Sequence, residues 1–175
     1  MDPKPSPDPQ HNDAALPSVL AVDDDPSVLS SIRRVLRRSQ IDVRTAVGGS
    51  EALKTIGPWL PDLILLDVSM PEFSGHVFLR RFRQKEAIIH RIQGRVLPPV
   101  PVMFVTGQAG QHQRIDGLAA GAVDYLLKPF DPQELRARVK AHLRQSRHAR
   151  RAVEATAQAA ANHPTLFSEL SGGAA

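Results

Sequence analysis

Residues 61–75 read PDLILLDVSMPEFSG. An apolar run from Leu63 to Leu66 leads straight into one carboxylate, Asp67, and the segment breaks at Met70-Pro71. A charge at the mouth of an apolar segment is costly unless a cation or hydrogen-bond donors meet it. Asp67 therefore needs partners, and the flanking sequence indicates where to look for them.

On either side of this stretch, short apolar runs alternate with helical patterns. The runs are SVLAV (18–22), DVRTA (42–46), DLILL (62–66), VPVMFV (100–105) and VDYLL (123–127). Two of them are almost continuously apolar, as strands covered on both faces are. Helix candidates lie between them: 26–39 with Val28, Ile32, Val35 and Leu36 on one face, 50–57, 75–92, 110–120, and 132 onward with Leu135, Val139 and Leu143. Five alternations of strand and helix predict an α/β fold, a doubly wound parallel sheet with helices on both faces.

In such sheets ligands gather beyond the carboxyl ends of the strands. The first strand delivers Asp23, Asp24 and Asp25 there, the third Asp67, the fourth Thr106 followed by Gly107, and the fifth Lys128-Pro129. Taken alone, each has an ordinary explanation. Asp25 before Pro26 fits a helix N-cap with proline at the first helical position. Thr-Gly is a common turn, and a lone lysine is usually solvated. Their joint arrival at one edge of one sheet points to a site.

The motifs VLAVDDDPSV, DLILLDVSMPEFSG, MFVTG and DYLLKPF, in this order from about Ser18 to Arg144, make the chain resemble the receiver domains of bacterial response regulators, the CheY-like superfamily. The resemblance implies a flavodoxin-like five-stranded sheet of order 2-1-3-4-5. It implies that Asp67 accepts a phosphoryl group from a histidine kinase or phosphotransfer protein, with Mg²⁺ as cofactor. Asp23 and Asp24 would form the acidic pair that holds the metal, together with Asp67 and the Ser69 backbone carbonyl. Asp24 would touch the ion directly, and Asp23 would hold a metal-bound water. Thr106 and Lys128 would bind the phosphoryl oxygens, Tyr125 would be the switch aromatic drawn inward on activation, and Lys128-Pro129 would be cis.

Charge arithmetic agrees with that assignment. Three clustered carboxylates repel by roughly 4 kcal/mol per close pair at an effective dielectric near 20. One divalent cation plus Lys128 would cancel their formal charge, and hard oxygen ligands suit Mg²⁺. A rival is a Mg²⁺-dependent phosphohydrolase of the haloacid dehalogenase type, which needs an acid two residues after its nucleophilic aspartate. That position here is Ser69. The expectation is a non-enzymatic phosphoacceptor, either a single-domain regulator or the receiver module of a longer one.

Composition sets the remaining bounds. With 175 residues the chain suits one domain with tails: a proline-rich leader over 1–17 expected to be disordered, the receiver over 18–144, and a basic then alanine-rich tail over 145–175, partly helical or disordered. Cysteine is absent, which excludes disulfides and thiol chemistry, and the seven histidines show no i, i+4 metal spacing. No apolar run approaches a membrane span, so a cytoplasmic location and no membrane partner are expected. The net charge of +4 is concentrated in RARVKAHLRQSRHARR (136–151), which lacks interleaved aromatics. A solvated basic helix explains that run better than nucleic-acid binding does. Residues 145–175 are too few for a helix-turn-helix module. A phosphorylation-dependent homodimer is expected through the helix at 110–120, the fifth strand and the helix from 132. One stretch, RQKEAIIHRIQGRVLPPVP (83–101), is longer than the resemblance implies. Ile88, Ile89 and Ile92 there need a covering surface, which a local flap packing on its own domain would supply.

Overall fold

The computed structural model describes residues 16–57, 59–94, 96–107 and 121–162. Five parallel strands, β1 (Ser18–Asp23), β2 (Asp42–Val47), β3 (Leu63–Leu66), β4 (Val102–Thr106) and β5 (Asp124–Leu127), lie in the order β2-β1-β3-β4-β5. This is the order that the resemblance implied. Every residue of β1, β3 and β4 is buried, while β2 at one edge alternates between exposed and covered positions.

Alternate residues of each strand feed opposite faces of the sheet. On one face, Leu20, Val22, Ile64, Leu66 and Phe104 pack with Phe78, Leu79 and Phe82 of α3 (Gly75–Ile92) and with Ala52 of α2 (Gly49–Thr55). On the other, Val19, Ala21, Leu63, Leu65 and Met103 meet Ile32 and Leu36 of α1 (Pro26–Arg37) and Leu135, Val139 and Leu143 of the C-terminal helix α4 (Pro132–Asn162). Burying each of the larger of these side chains contributes about 1.5–3 kcal/mol, so these two layers carry the fold.

Local chemistry sets the helix starts. Asp25 caps α1 by accepting from the Ser27 N–H at 2.8 Å, with Pro26 next, as the sequence predicts. Ser74 caps α3 through the Val77 N–H. The buried face of α1 is turned slightly from the expected one: Leu29 is fully buried, and Val28 only flanks the cluster. The helix expected over 110–120 lies outside the described residues.

The C-terminal helix runs unbroken past residue 144. Ser146 and Arg150, on the same face as Leu143, are buried. Arg150 Nη1 lies 3.2 Å from Asp62 Oδ1, and its Nη2 donates to the Pro61 carbonyl. Asp62, also buried, accepts on Oδ2 from the Ser18 N–H (2.9 Å) and hydroxyl (3.1 Å). The helix is thereby fastened to the amino-terminal ends of β1 and β3, the edge of the sheet away from the expected site.

Residues 83–101 divide in two. α3 ends at Ile92, as the pattern predicts, and the return loop is held by the buried Glu86. Glu86 Oε1 accepts from the Val100 N–H at 2.6 Å and Oε2 from Arg83 Nη1 at 2.8 Å, while Arg83 also donates to the Val100 carbonyl. Ile89 packs against the core, but Ile88 and Ile92 do not.

Candidate phosphoacceptor site

β1 and β3 are in register, so Asp23 and Asp67 leave the sheet side by side, and the Asp67 N–H donates to the Val22 carbonyl at 2.9 Å. Both carboxylates are buried, whereas Asp24 is exposed at the rim. Lys128 reaches back from the end of β5 and places Nζ 2.6 Å from Asp23 Oδ2 and 2.7 Å from Asp67 Oδ1. Its backbone N–H donates to the Thr106 carbonyl, and the Lys128–Pro129 peptide is cis, as implied. Thr106 is buried at the end of β4, between the strands that carry Asp67 and Lys128.

The remaining oxygens are held by the backbone. Asp67 Oδ2 accepts from the Ser69 N–H at 2.6 Å, and Asp23 Oδ1 accepts from the Asp25 N–H at 3.1 Å. Burial pushes the Asp23 carboxyl above its ordinary value, more than the hydrogen bonds from Lys128 and the Asp25 N–H lower it. Burial also acts to strip Lys128 of its proton, but its bonds to Asp23 and Asp67 outweigh this and hold the ammonium above its ordinary value. One cation thus serves two buried carboxylates, and Asp24 adds a third negative charge at the rim.

That residual charge is the test of whether a metal fits. Two formal negative charges remain after Lys128 is counted, all of them on carboxylate oxygen, which is the donor set of a hard divalent cation. Lys128 itself draws Asp23 and Asp67 together here, and among the described residues no three acidic or histidine side chains already surround a common point. The donors fit Mg²⁺ in kind, with Asp24 as the most accessible of them.

Tyr125 follows Asp124 at the start of β5 and is buried, its ring centroid 5.0 Å from that of Phe104, which in turn lies 5.0 Å from His76. Just below, Arg138 and His142 of the C-terminal helix both contact the Asp124 carboxylate.

Three contributors to the site were not singled out in the sequence. Gly75 opens α3 directly against β3: a Cβ there would fall on the Asp67 carbonyl oxygen and within 3.1 Å of Val68 Cα. Glu72 accepts from the Ser50 N–H at 3.1 Å, and Phe73 covers Gly49, where any Cβ would strike its ring. Together they fasten the loop after Asp67 to the start of α2. The run EFSG carried the only signal, an aromatic beside two small residues at a helix start.

Comparison with known proteins gives the family. The response regulator receiver domain matches residues 19–140, and the chain belongs to that family. It is similar to the transcriptional regulatory protein PrrA of Mycobacterium tuberculosis, at 43% identity over 128 residues, 73% of this chain and 50% of the relative. It is also similar to the alkaline phosphatase synthesis transcriptional regulatory protein PhoP of Bacillus subtilis, at 38% identity over 73% of this chain and 49% of the relative. The chain thus spans about half the length of the curated relatives it matches. Among solved structures, the Francisella response regulator 1452 receiver domain superposes with a TM-score of 0.63 at 31% identity, covering 74% of this chain and 98% of that one. The chemotaxis protein CheY4 of Vibrio cholerae gives 0.63 at 29%, over 73% and 98%. Among the described residues no helix is long and apolar enough to cross a membrane.

Proposed function

We propose that this receiver takes a phosphoryl group onto Asp67 from a histidine kinase or phosphotransfer protein, with Mg²⁺ held by Asp23, Asp24, Asp67 and the Ser69 carbonyl. The observation that carries this reading is the cluster of Asp23, Asp67 and Lys128, delivered from three strand ends to within 2.7 Å of one ammonium nitrogen. A bound Mg²⁺ would supply charge neutralisation across the carboxylates and the incoming phosphoryl oxygens.

The Asp67 carboxylate needs no base, because it is a nucleophile in its ionised form. One of its oxygens attacks phosphorus, and a P–O bond forms as the P–N bond to the donor imidazole breaks. The imidazole nitrogen keeps the electron pair and takes a proton from solvent. Lys128, already bonded to Asp67, is placed to follow the charge onto the phosphoryl oxygens, and Thr106 closes from the neighbouring strand. Ser69 stands where a hydrolase would carry its general base, so the aspartyl phosphate persists as a signal.

A readout through β5 and the C-terminal helix follows, as partner binding or self-association, because β5 runs from the strand end that carries Lys128 back to Asp124, which is bonded to Arg138 of that helix, and its Tyr125 packs on Phe104. The half-length match to transcriptional regulatory proteins supports a second reading, the receiver module of a longer regulator. Incubation with acetyl phosphate and Mg²⁺, followed by intact mass measurement, should add one phosphoryl group. Equal labelling of Asp67→Asn would refute the assignment.

A further inference from the structure

The last turns of α3 hold apolar surface that the fold does not cover: Ile88 is 54% exposed, Ile92 80% and, just after the helix, Val96 87%. Ile88 and Ile92 are four residues apart and lie on one helix face. Isolated exposed apolar residues are ordinary, but two on one face of a fixed helix, with a third just beyond its end, mark an interaction surface.

Two observations separate this patch from a loose loop. The first is rigidity. Glu86, 4% exposed and two residues before Ile88, bonds to the Val100 N–H, and Arg83 bonds to both the Val100 and Gly121 carbonyls. Lys85 donates to the Leu53 carbonyl at the end of α2, at 2.7 Å. The platform is therefore pinned on three sides while its outer face stays bare. The second is charge. Between Phe73 and Gly107 the sequence holds Arg80, Arg81, Arg83, Lys85, Arg91 and Arg95, but a single acid, Glu86. That acid is turned inward and paired with Arg83. Arg81 and Arg91 lie on the face of Ile88 and Ile92 and are exposed, with no exposed carboxylate in the segment to offset them.

We infer that the end of α3 is a docking surface for an acidic amphipathic helix of a partner protein. Apolar residues of that helix, spaced four apart, cover Ile88, Ile92 and Val96, and its flanking carboxylates meet Arg81 and Arg91. Preorganisation by the Glu86 and Arg83 clamp removes the ordering cost that a flexible flap would incur on binding. The surface lies at the far end of α3 from Asp67, so a partner bound there leaves the phosphoacceptor edge open.

The test uses the full chain with isotope-labelled isoleucine methyl groups and two synthetic peptides. Both carry the same leucine stripe at four-residue spacing, one with glutamate on its polar face and the other with lysine. The acidic peptide should shift the Ile88 and Ile92 signals saturably, and raised salt should weaken it. The Ile88→Ser/Ile92→Ser double variant should bind it at least about tenfold more weakly while keeping the wild-type melting temperature, and Arg91→Glu should weaken it as well. Equal binding of both peptides, or shifts unaffected by these substitutions, would overturn the inference. Preferential binding to phosphatidylglycerol vesicles would assign the surface to lipid instead. Concentration-dependent dimerisation lost in the double variant would assign it to a second copy of the chain, and either result also overturns it.

Discussion

Asp23 is the residue whose environment works against its charge: burial raises its pKa above the ordinary 3.8 despite its bond to Lys128. For an acid raised in the folded state, the penalty is absent at low pH, where both states are protonated. It grows as pH rises from the unfolded value through the raised folded value and is complete above that. Removing the charge should therefore stabilise the metal-free protein. Asp23→Asn is expected to raise stability at neutral pH, and the gain should fade as pH drops toward 3.8. Urea unfolding at a series of pH values checks both the sign and the window. Gly75 presents the opposite case, a position with no charge and no freedom. The Cβ of Gly75→Ala would press on the carbonyl of Asp67 itself and lie 3.0 Å from the Phe104 ring. The substitution should cost about 1–3 kcal/mol and slow labelling by acetyl phosphate, because the strand end that aims the carboxylate must shift. Wild-type melting with wild-type labelling would contradict this.

Among the elements, the C-terminal helix shows most clearly what a sequence reveals and what it conceals. Its stripe of Leu135, Val139 and Leu143 was legible, because apolar residues at helical spacing have one economical explanation. Arg150 was not. It belongs to a run of arginines that all look solvated, and what distinguishes it is a carboxylate 88 residues earlier in the chain. Asp62 was equally hidden, since its position before an apolar run reads as an ordinary strand start. The site carboxylates were legible for a contrary reason: parallel topology forces strand ends to one edge, so residues far apart in sequence can be placed together without coordinates. The Asp62–Arg150 pair leads to a crossed prediction. A chain ending at Arg144 leaves Asp62 buried without the guanidinium and should lose about 3 kcal/mol. Asp62→Asn should then recover part of that loss in the shortened chain but destabilise the full one. Thermal melts of the four proteins decide, and additive effects would show that the pair does not couple.

At the scale of the whole molecule, the candidate site and the attachment of the C-terminal helix occupy opposite edges of one sheet. Asp67 and Lys128 lie at the carboxyl ends, while Asp62, Arg150 and the Glu86 latch grip the amino ends of β1, β3 and β4. The family resemblance supplied the sheet order, and sequence pattern reached the first of these edges, because a parallel sheet sends its strand ends to one side. The second edge depends on side chains that reach across layers. In full-length protein, beryllofluoride with Mg²⁺, a stand-in for the phosphoryl group, should raise the mass seen by light scattering if β5 and the C-terminal helix form the readout surface. Arg138→Ala, which leaves His142 as the helix's remaining contact to Asp124 on that surface, should alter the response; an unchanged mass in both proteins would exclude self-association as the output. Beyond Arg150 the same helix continues twelve residues to Asn162 as a largely exposed rod, roughly 18 Å at 1.5 Å per residue. Because its base is clamped, anything joined to its far end inherits a definite angular phase. Deleting one residue from the rod would turn the attached body by about 100°, whereas deleting seven would return it to within about 20° of its starting direction. Activity of such fusions should therefore rise and fall with the helical repeat, and not decline steadily with linker length.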